Sequence, residues 1–118
     1  MLRFVNLKAE GFTVEYALAV LEIEIEGAKR EGICAMKLLH GYGSHGKGGV
    51  IAQAVKKQLA IWKRQGFIAD YFGGDHWDIF DPKTQTILNL DKSIYNDEDL
   101  GHANPGISII QLKKTGYN

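Results

Sequence analysis

The chain has 118 residues with no formal net charge, and 45% of its residues are hydrophobic and 24% charged. This length fits one domain of ~100–150 residues, and the composition excludes an intrinsically disordered chain. One cysteine excludes a disulfide framework. The absence of both a signal-peptide pattern and an apolar run of ~20 residues predicts a cytoplasmic protein with no membrane partner.

The first forty residues predict two strands with a helix between them. A short apolar segment, 2–8, predicts the first strand. Thr13 is a typical helix N-cap, and the apolar residues that follow it recur at helical spacing, which predicts a helix over 13–31. The near-continuous apolar run 33–40 is typical of a central strand that is buried on both faces.

A glycine-rich segment, 41–49, separates that strand from a second predicted helix, which ends near Gly66. Residues 67–72 predict a third strand. The order strand, helix, strand, helix, strand favours right-handed crossovers and parallel strands. The carboxyl ends of the three strands should therefore meet at one edge of the sheet, which is where open α/β sheets tend to bind ligands.

The rest of the chain predicts an insertion and a last strand. Trp77–Phe80 and Thr86–Leu90 flank a predicted type I turn at Asp81–Thr84 and predict a hairpin. A polar, acidic loop then leads to a final strand over 107–112. We therefore expect an inserted hairpin and acidic loop over 75–106 within a single domain spanning 1–118.

Charge is distributed unevenly along the chain. Residues 32–69 carry six basic and no acidic side chains, whereas residues 70–99 carry eight acidic and two basic ones. A basic block without carboxylates is typical of a surface that meets an anionic partner. The acidic loop is then expected to pack beside the basic helix and compete with that partner, to point into solvent, or to meet a neighbouring molecule.

The glycine-rich segment leads directly into a helix N-terminus, where free N–H groups favour an anion, and phosphate in particular. Its residues also satisfy the P-loop pattern G-x-x-x-x-G-K up to Lys47, but Gly48 stands where a magnesium-binding Ser or Thr is required. His40, His45 and His76 with Asp75 lack the compact spacing of a zinc site, so we expect no metal or cofactor.

Several of these segments together resemble the small MutS-related (Smr) domain family. Val5–Lys8 with Gly11 is similar to its opening Leu-Asp-Leu-His-Gly motif, and Thr13–Ala17 is similar to the helix start that follows. His40–Gly43 matches its His-Gly-x-Gly loop, and Gly73–Gly74 matches the start of its Gly-Gly-x-Gly motif. The resemblance covers about residues 3–75 and returns at the final strand.

The resemblance implies an α+β fold, a βαβαββ two-layer sandwich with a mixed four-stranded sheet. It also implies nucleic-acid binding, with endonuclease activity on DNA or RNA in some members. Asn6 and Lys8 replace the family's first Asp and His, and His76 replaces the last glycine of its third motif. We expect DNA or RNA as the partner, bound through Lys8, Gly41, Gly43, Lys47, Lys56, Lys57, Lys63, Gly73 and Gly74.

His40 is the candidate catalytic residue, since an imidazole near a phosphate can deprotonate a ribose hydroxyl or a water. The alternative is a histidine that caps its strand and holds the loop. Trp62 has core spacing, whereas Trp77 could either stack on bases or be buried. A non-enzymatic interaction module and a P-loop-like nucleotide-binding protein remain alternative functions.

Overall fold

The computed structural model describes residues 1–42 and 47–113 of the chain. The elements within these ranges are β1 (Leu2–Asn6), α1 (Val14–Arg30), β2 (Ala35–Leu39), α2 (Lys47–Gln65), β3 (Asp70–Gly73), α3 (Pro82–Leu90) and β4 (Ile107–Gln111). Short 3-10 helices at Gly74–His76 and Lys92–Asn96 flank α3. Over the same ranges, no helix is long and apolar enough to cross a membrane.

The four strands form one mixed sheet in the order β1-β2-β4-β3. β1 and β2 are parallel, and β4 is antiparallel to both β2 and β3. The carboxyl ends of β1, β2 and β3 therefore meet at one edge of the sheet, as predicted. The start of β4 lies at the same edge, between His40 and Gly74, because Ser108 pairs in register with both Leu38 and Gly73.

Helix α1 begins and ends where its sequence signals predict. The Thr13 hydroxyl accepts a hydrogen bond from the Tyr16 N–H at 3.1 Å, which satisfies one of the free donors of the first turn. Gly32 has a φ of 75° just after the helix, a left-handed conformation that glycine adopts at low cost. The buried positions recur every three or four residues, at Ala17, Leu21, Ile25 and Ala28.

The main core lies between the sheet and the two long helices. Met36 and Leu38 of β2 pack there against apolar residues of α1 and α2. Trp62 of α2 belongs to this core, as its spacing predicts, and its ring meets that of Phe67 edge to face at 5.3 Å. Packing against α1 and the sheet fixes the position of α2, whose basic residues lie on the side away from this core.

The hairpin predicted within the insertion is wrong, because this part of the chain is helical. The Asp81 carboxylate accepts a hydrogen bond from the Lys83 N–H, and Pro82 occupies the first turn of α3. Aspartate followed by proline begins a helix as readily as a type I turn. The buried residues Thr84, Ile87 and Leu88 recur at helical spacing, which outweighs the β-propensity of Thr86 and Ile87.

The insertion also adds a third layer to the expected two-layer sandwich of helices and sheet. A second apolar cluster on the other face of the sheet joins β2, β3 and β4 to buried residues of the insertion, among them Ile87, Leu88 and Ile94. Trp77 is fully buried in this cluster, and its indole N–H donates to Asp97 at 2.9 Å. Trp77 is therefore a core residue and does not stack on bases.

The acidic loop of the insertion binds Lys37. Side chains alternate along β2, so Lys37 lies on the face opposite α2, where its ammonium group contacts Asp97 at 2.7 Å and Asp99 at 2.8 Å. Burial alone would lower the pKa of Lys37, but hydrogen bonds to the two carboxylates raise it. The expectation that these carboxylates pack beside the basic face of α2 is therefore wrong.

Candidate nucleic-acid interface

His40 is fully buried directly after β2, and both of its ring nitrogens have partners. Nδ1 lies 2.6 Å from the Gly41 carbonyl and Nε2 lies 2.7 Å from the Ser108 hydroxyl. A carbonyl only accepts, so Nδ1 carries the proton, and in the neutral ring Nε2 accepts from Ser108. Burial lowers the pKa of His40, the bond to Gly41 opposes this, and the nearby Lys56 charge lowers the pKa further.

The loop after His40 is tied to the start of β4. The backbone N–H groups of His40 and Gly41 both donate to the Gly106 carbonyl, each at 3.0 Å. Gly41 has a φ of 74°, and a Cβ on Gly106 would lie 3.6 Å from the Gly41 Cα. The N–H of Gly41 is thus used inside the protein, so any phosphate contact at this position involves other groups of the loop.

A polar network joins this loop to the insertion. Asn104 accepts from the Gly106 N–H at 2.8 Å and donates to Asp99 at 3.1 Å, and Asp99 in turn binds Lys37. The sequence interpretation missed Asn104 and Ser108, and it expected Asp99 beside the basic face of α2 rather than on Lys37. The turn-forming run Asn104-Pro105-Gly106 directly before the last strand was the available signal.

Gly73 and Gly74 sit at the end of β3, at the same edge. Gly74 is buried, and a Cβ there would overlap the backbone oxygen of Asn104 and lie 2.7 Å from Ile107. Position 74 therefore requires glycine, because the segment that leads into β4 packs too closely there for a side chain. Gly73 is half-buried and lines a cleft beside β3.

The exposed side of α2 carries the basic residues predicted to bind a polyanion. Lys56, Lys57 and Arg64 are exposed, and none of them forms an ion pair within residues 1–42 and 47–113. Lys63 is exposed too, but its ammonium group lies 2.9 Å from Asp70. Lys8 is exposed after β1, at the edge of the sheet where the carboxyl ends of the strands meet.

Some predicted residues lie outside the described part of the chain. These are Gly43 and His45 of the glycine-rich segment, together with the side chain of Lys47. The P-loop interpretation depends on the same segment. Where the structure does describe side chains, no group of three His, Cys, Asp or Glu residues is placed to hold a metal ion.

The fold is similar to that of a solved structure. The crystal structure of the Smr domain of Thermus thermophilus MutS2 matches with a TM-score of 0.58 and 20% sequence identity, covering 94% of this chain and 98% of that one. No protein-family model and no curated protein matches the sequence. The chain therefore has the α+β fold of an Smr domain, as the motifs implied.

Proposed function

We propose that this chain binds the phosphate backbone of nucleic acid, DNA or RNA, along the exposed side of α2 and the adjoining strand edge. The observation that carries the proposal is the set of exposed cations on α2, Lys56, Lys57 and Arg64, which have no carboxylate partner among the described residues. Phosphate contacts from lysine and arginine supply most of the affinity of sequence-independent binding.

The charge of the neighbouring helix supports the same surface. α1 and α2 pack side by side on one face of the sheet. α1 exposes acidic side chains, including Glu15, Glu22 and Glu26. A polyanion is repelled from the acidic helix and attracted to the basic one, so its path follows α2.

The geometry around His40 supports a positioning role in binding rather than in chemistry. The buried ring holds Gly41 on one side and Ser108 on the other, so it connects the glycine loop to β4. For His40 to act as a general base, Nε2 would have to exchange Ser108 for a substrate hydroxyl, because a base must reach the proton that it removes. Endonuclease activity with His40 as the general base is thus a more specific proposal than binding, and a cleavage assay tests it.

The test is fluorescence anisotropy with labelled RNA and DNA oligonucleotides over a range of salt concentrations. The logarithm of the affinity should fall linearly with the logarithm of the salt concentration, by ~0.7–0.9 for each phosphate contacted. Lys56→Gln with Lys57→Gln should reduce that slope by ~1.4–1.8, whereas Lys92→Gln, an exposed lysine of the insertion, should leave it unchanged.

Two results separate the alternatives. The absence of binding to any oligonucleotide at ~50 mM salt would reject the proposal and favour a protein-interaction module. Parallel gels test for cleavage: loss of cleavage in His40→Ala with binding retained would establish the catalytic role, and binding without cleavage in the wild type would leave His40 with the positioning role.

A further inference from the structure

A cleft of about 460 Å³ lies beside the edge strand β3, between the C-terminal half of α2 and the beginning of the insertion. Its volume falls within the ~300–1,000 Å³ of small-molecule sites. Its lining includes Lys63 and Arg64 from α2, Tyr71 and Gly73 from β3, and His76 and Lys83 from the insertion. The insertion thus completes a cleft that continues the basic side of α2.

The charges around this cleft leave a basic surplus on the α2 side. Asp70 is shared by two ammonium groups, those of Lys63 at 2.9 Å and Lys83 at 3.6 Å. Burial alone would raise the pKa of Asp70, but the hydrogen bonds from Lys63 and the Tyr71 N–H, with the charge of Lys83, lower it. Arg64 has no ion-pair partner among the residues that the structure describes.

Besides Asp70, two carboxylates of the insertion lie beside His76. The Asp81 carboxylate lies 2.9 Å from His76 Nδ1, and Asp75 lies 3.6 Å from Nε2. Asp81 also caps α3, so its position is fixed by the helix. These carboxylates therefore orient the imidazole on the insertion side of the cleft, whereas Arg64 on the α2 side has no carboxylate partner among the described residues.

Tyr71 contributes an aromatic ring to the cleft, and Phe80 belongs to the segment 76–83, whose two ends, His76 and Lys83, line it. Tyr71 lines the cleft and is half-buried. Phe80, directly before Asp81, is 83% exposed, so its ring is accessible to a ligand. Proteins that bind single strands combine a basic groove with aromatic rings on which unpaired bases stack, a contact that a base-paired duplex does not offer.

We infer that this cleft receives a nucleotide of a single-stranded nucleic acid whose backbone continues from the basic side of α2. Arg64 and Lys83 would contact phosphates, and Tyr71 and Phe80 would contact the base. The inference rests on the proposed function, which it sharpens: the protein distinguishes single strands from duplexes through a cleft that its insertion completes.

The experiment compares a labelled 12-nucleotide single strand with a blunt duplex of the same sequence by anisotropy. Phe80→Ala and Lys83→Gln should each weaken single-strand binding by ~5-fold or more and leave duplex binding within two-fold. The matched controls are Tyr95→Ala, an aromatic residue that is 53% exposed elsewhere on the insertion, and Lys92→Gln. Both controls should bind single strands as the wild type does.

A second measurement locates the base directly. A strand that carries 5-iodouridine should crosslink on irradiation to the peptide containing residues 71–80. Polyglutamate, which has charge but no bases, should displace the strand less effectively than an unlabelled single strand at equal charge concentration. Displacement by polyglutamate as effective as that by an unlabelled single strand, equal binding of strand and duplex, or equal effects of Phe80→Ala and Tyr95→Ala would each overturn the inference while leaving backbone binding by α2 in place. Failure of the wild type to bind any oligonucleotide would overturn both.

Discussion

The imidazole of His40 and the hydroxyl of Ser108 are 2.7 Å apart in the interior of the protein. Ser108 pairs in register with Leu38 on one side and Gly73 on the other. One small residue of β4 therefore lies between the histidine-glycine motif after β2 and the glycine pair at the end of β3. β4, which carries neither motif, thus holds both motifs at one edge of the sheet.

The burial of His40 predicts a loss of stability in mild acid. Its pKa is below the ordinary value of 6.5 in the folded protein, so the unfolded chain binds the proton more readily. The free energy of unfolding should fall as the pH decreases from about 6.5 towards the folded-state pKa. Urea unfolding at pH 7 and pH 5 measures this fall, which should be clearly smaller in His40→Gln. An equal fall in both proteins would contradict the prediction.

Lys56 should add to the effect of burial, the main cause of the lowered pKa of His40. Its ammonium charge lowers the pKa of that imidazole, so Lys56→Gln should raise the pKa. An NMR titration of the ring protons measures the change directly. Lys57→Gln is the matched control, since it removes the same charge from the neighbouring position of α2, and its effect should be smaller. A larger effect of Lys57→Gln would contradict the prediction, since it would show that Lys57 lies closer to the imidazole than Lys56 does.

Removing Lys37 should destabilise the domain strongly. Lys37→Met leaves Asp97 and Asp99 without their cation in a largely buried place, and the loss of one partner from such a pair costs ~3–5 kcal/mol. Chemical denaturation measures the cost. Adding Asp97→Asn and Asp99→Asn to Lys37→Met should restore part of the stability, because no buried charge then remains unpaired. A triple variant less stable than Lys37→Met would show that other contacts of the carboxylates dominate.

Two glycines should respond to alanine in opposite directions. Gly74→Ala places a methyl group against the Asn104 carbonyl and Ile107, which should cost ~1–3 kcal/mol. Gly27 lies inside α1, and a Cβ there would be 3.8 Å from the nearest atom outside the helix backbone, in Arg30. Gly27→Ala should therefore stabilise the protein by ~0.5–1 kcal/mol. Thermal unfolding of both variants tests the pair, and a neutral Gly74→Ala would disprove the close approach.

The first part of the fold was predictable because each element carries its own local signal. Thr13 and Gly32 bound α1, and the apolar run of β2 predicts a strand buried on both faces. The insertion was not predictable in the same way, since Asp81-Pro82 is compatible with a turn and with a helix start. Its helical form depends on packing against the far face of the sheet, a contact that no local pattern shows.

The candidate site was predictable only in outline. The topology rules placed the glycine motifs at one edge, and the charge pattern indicated the basic side of α2. The partners could not be predicted, because they are distant along the chain: Lys37 and Asp97 are separated by 60 positions, and His40 and Ser108 by 68. A lysine inside an apolar run is a signal for such a partner, since a buried charge requires one.

The strand order has a consequence for how the chain folds. β4, the last strand along the sequence, lies in the middle of the sheet, and β2 and β3 meet only through it. Until β4 is present, β3 has no strand to pair with, and the segment 74–106 has only part of its packing surface. Assembly of the sheet is therefore dominated by contacts between distant parts of the chain, which slow folding because loop closure is costly. On a ribosome, the N-terminal half would remain an incomplete, partly exposed sheet until the last strand emerged.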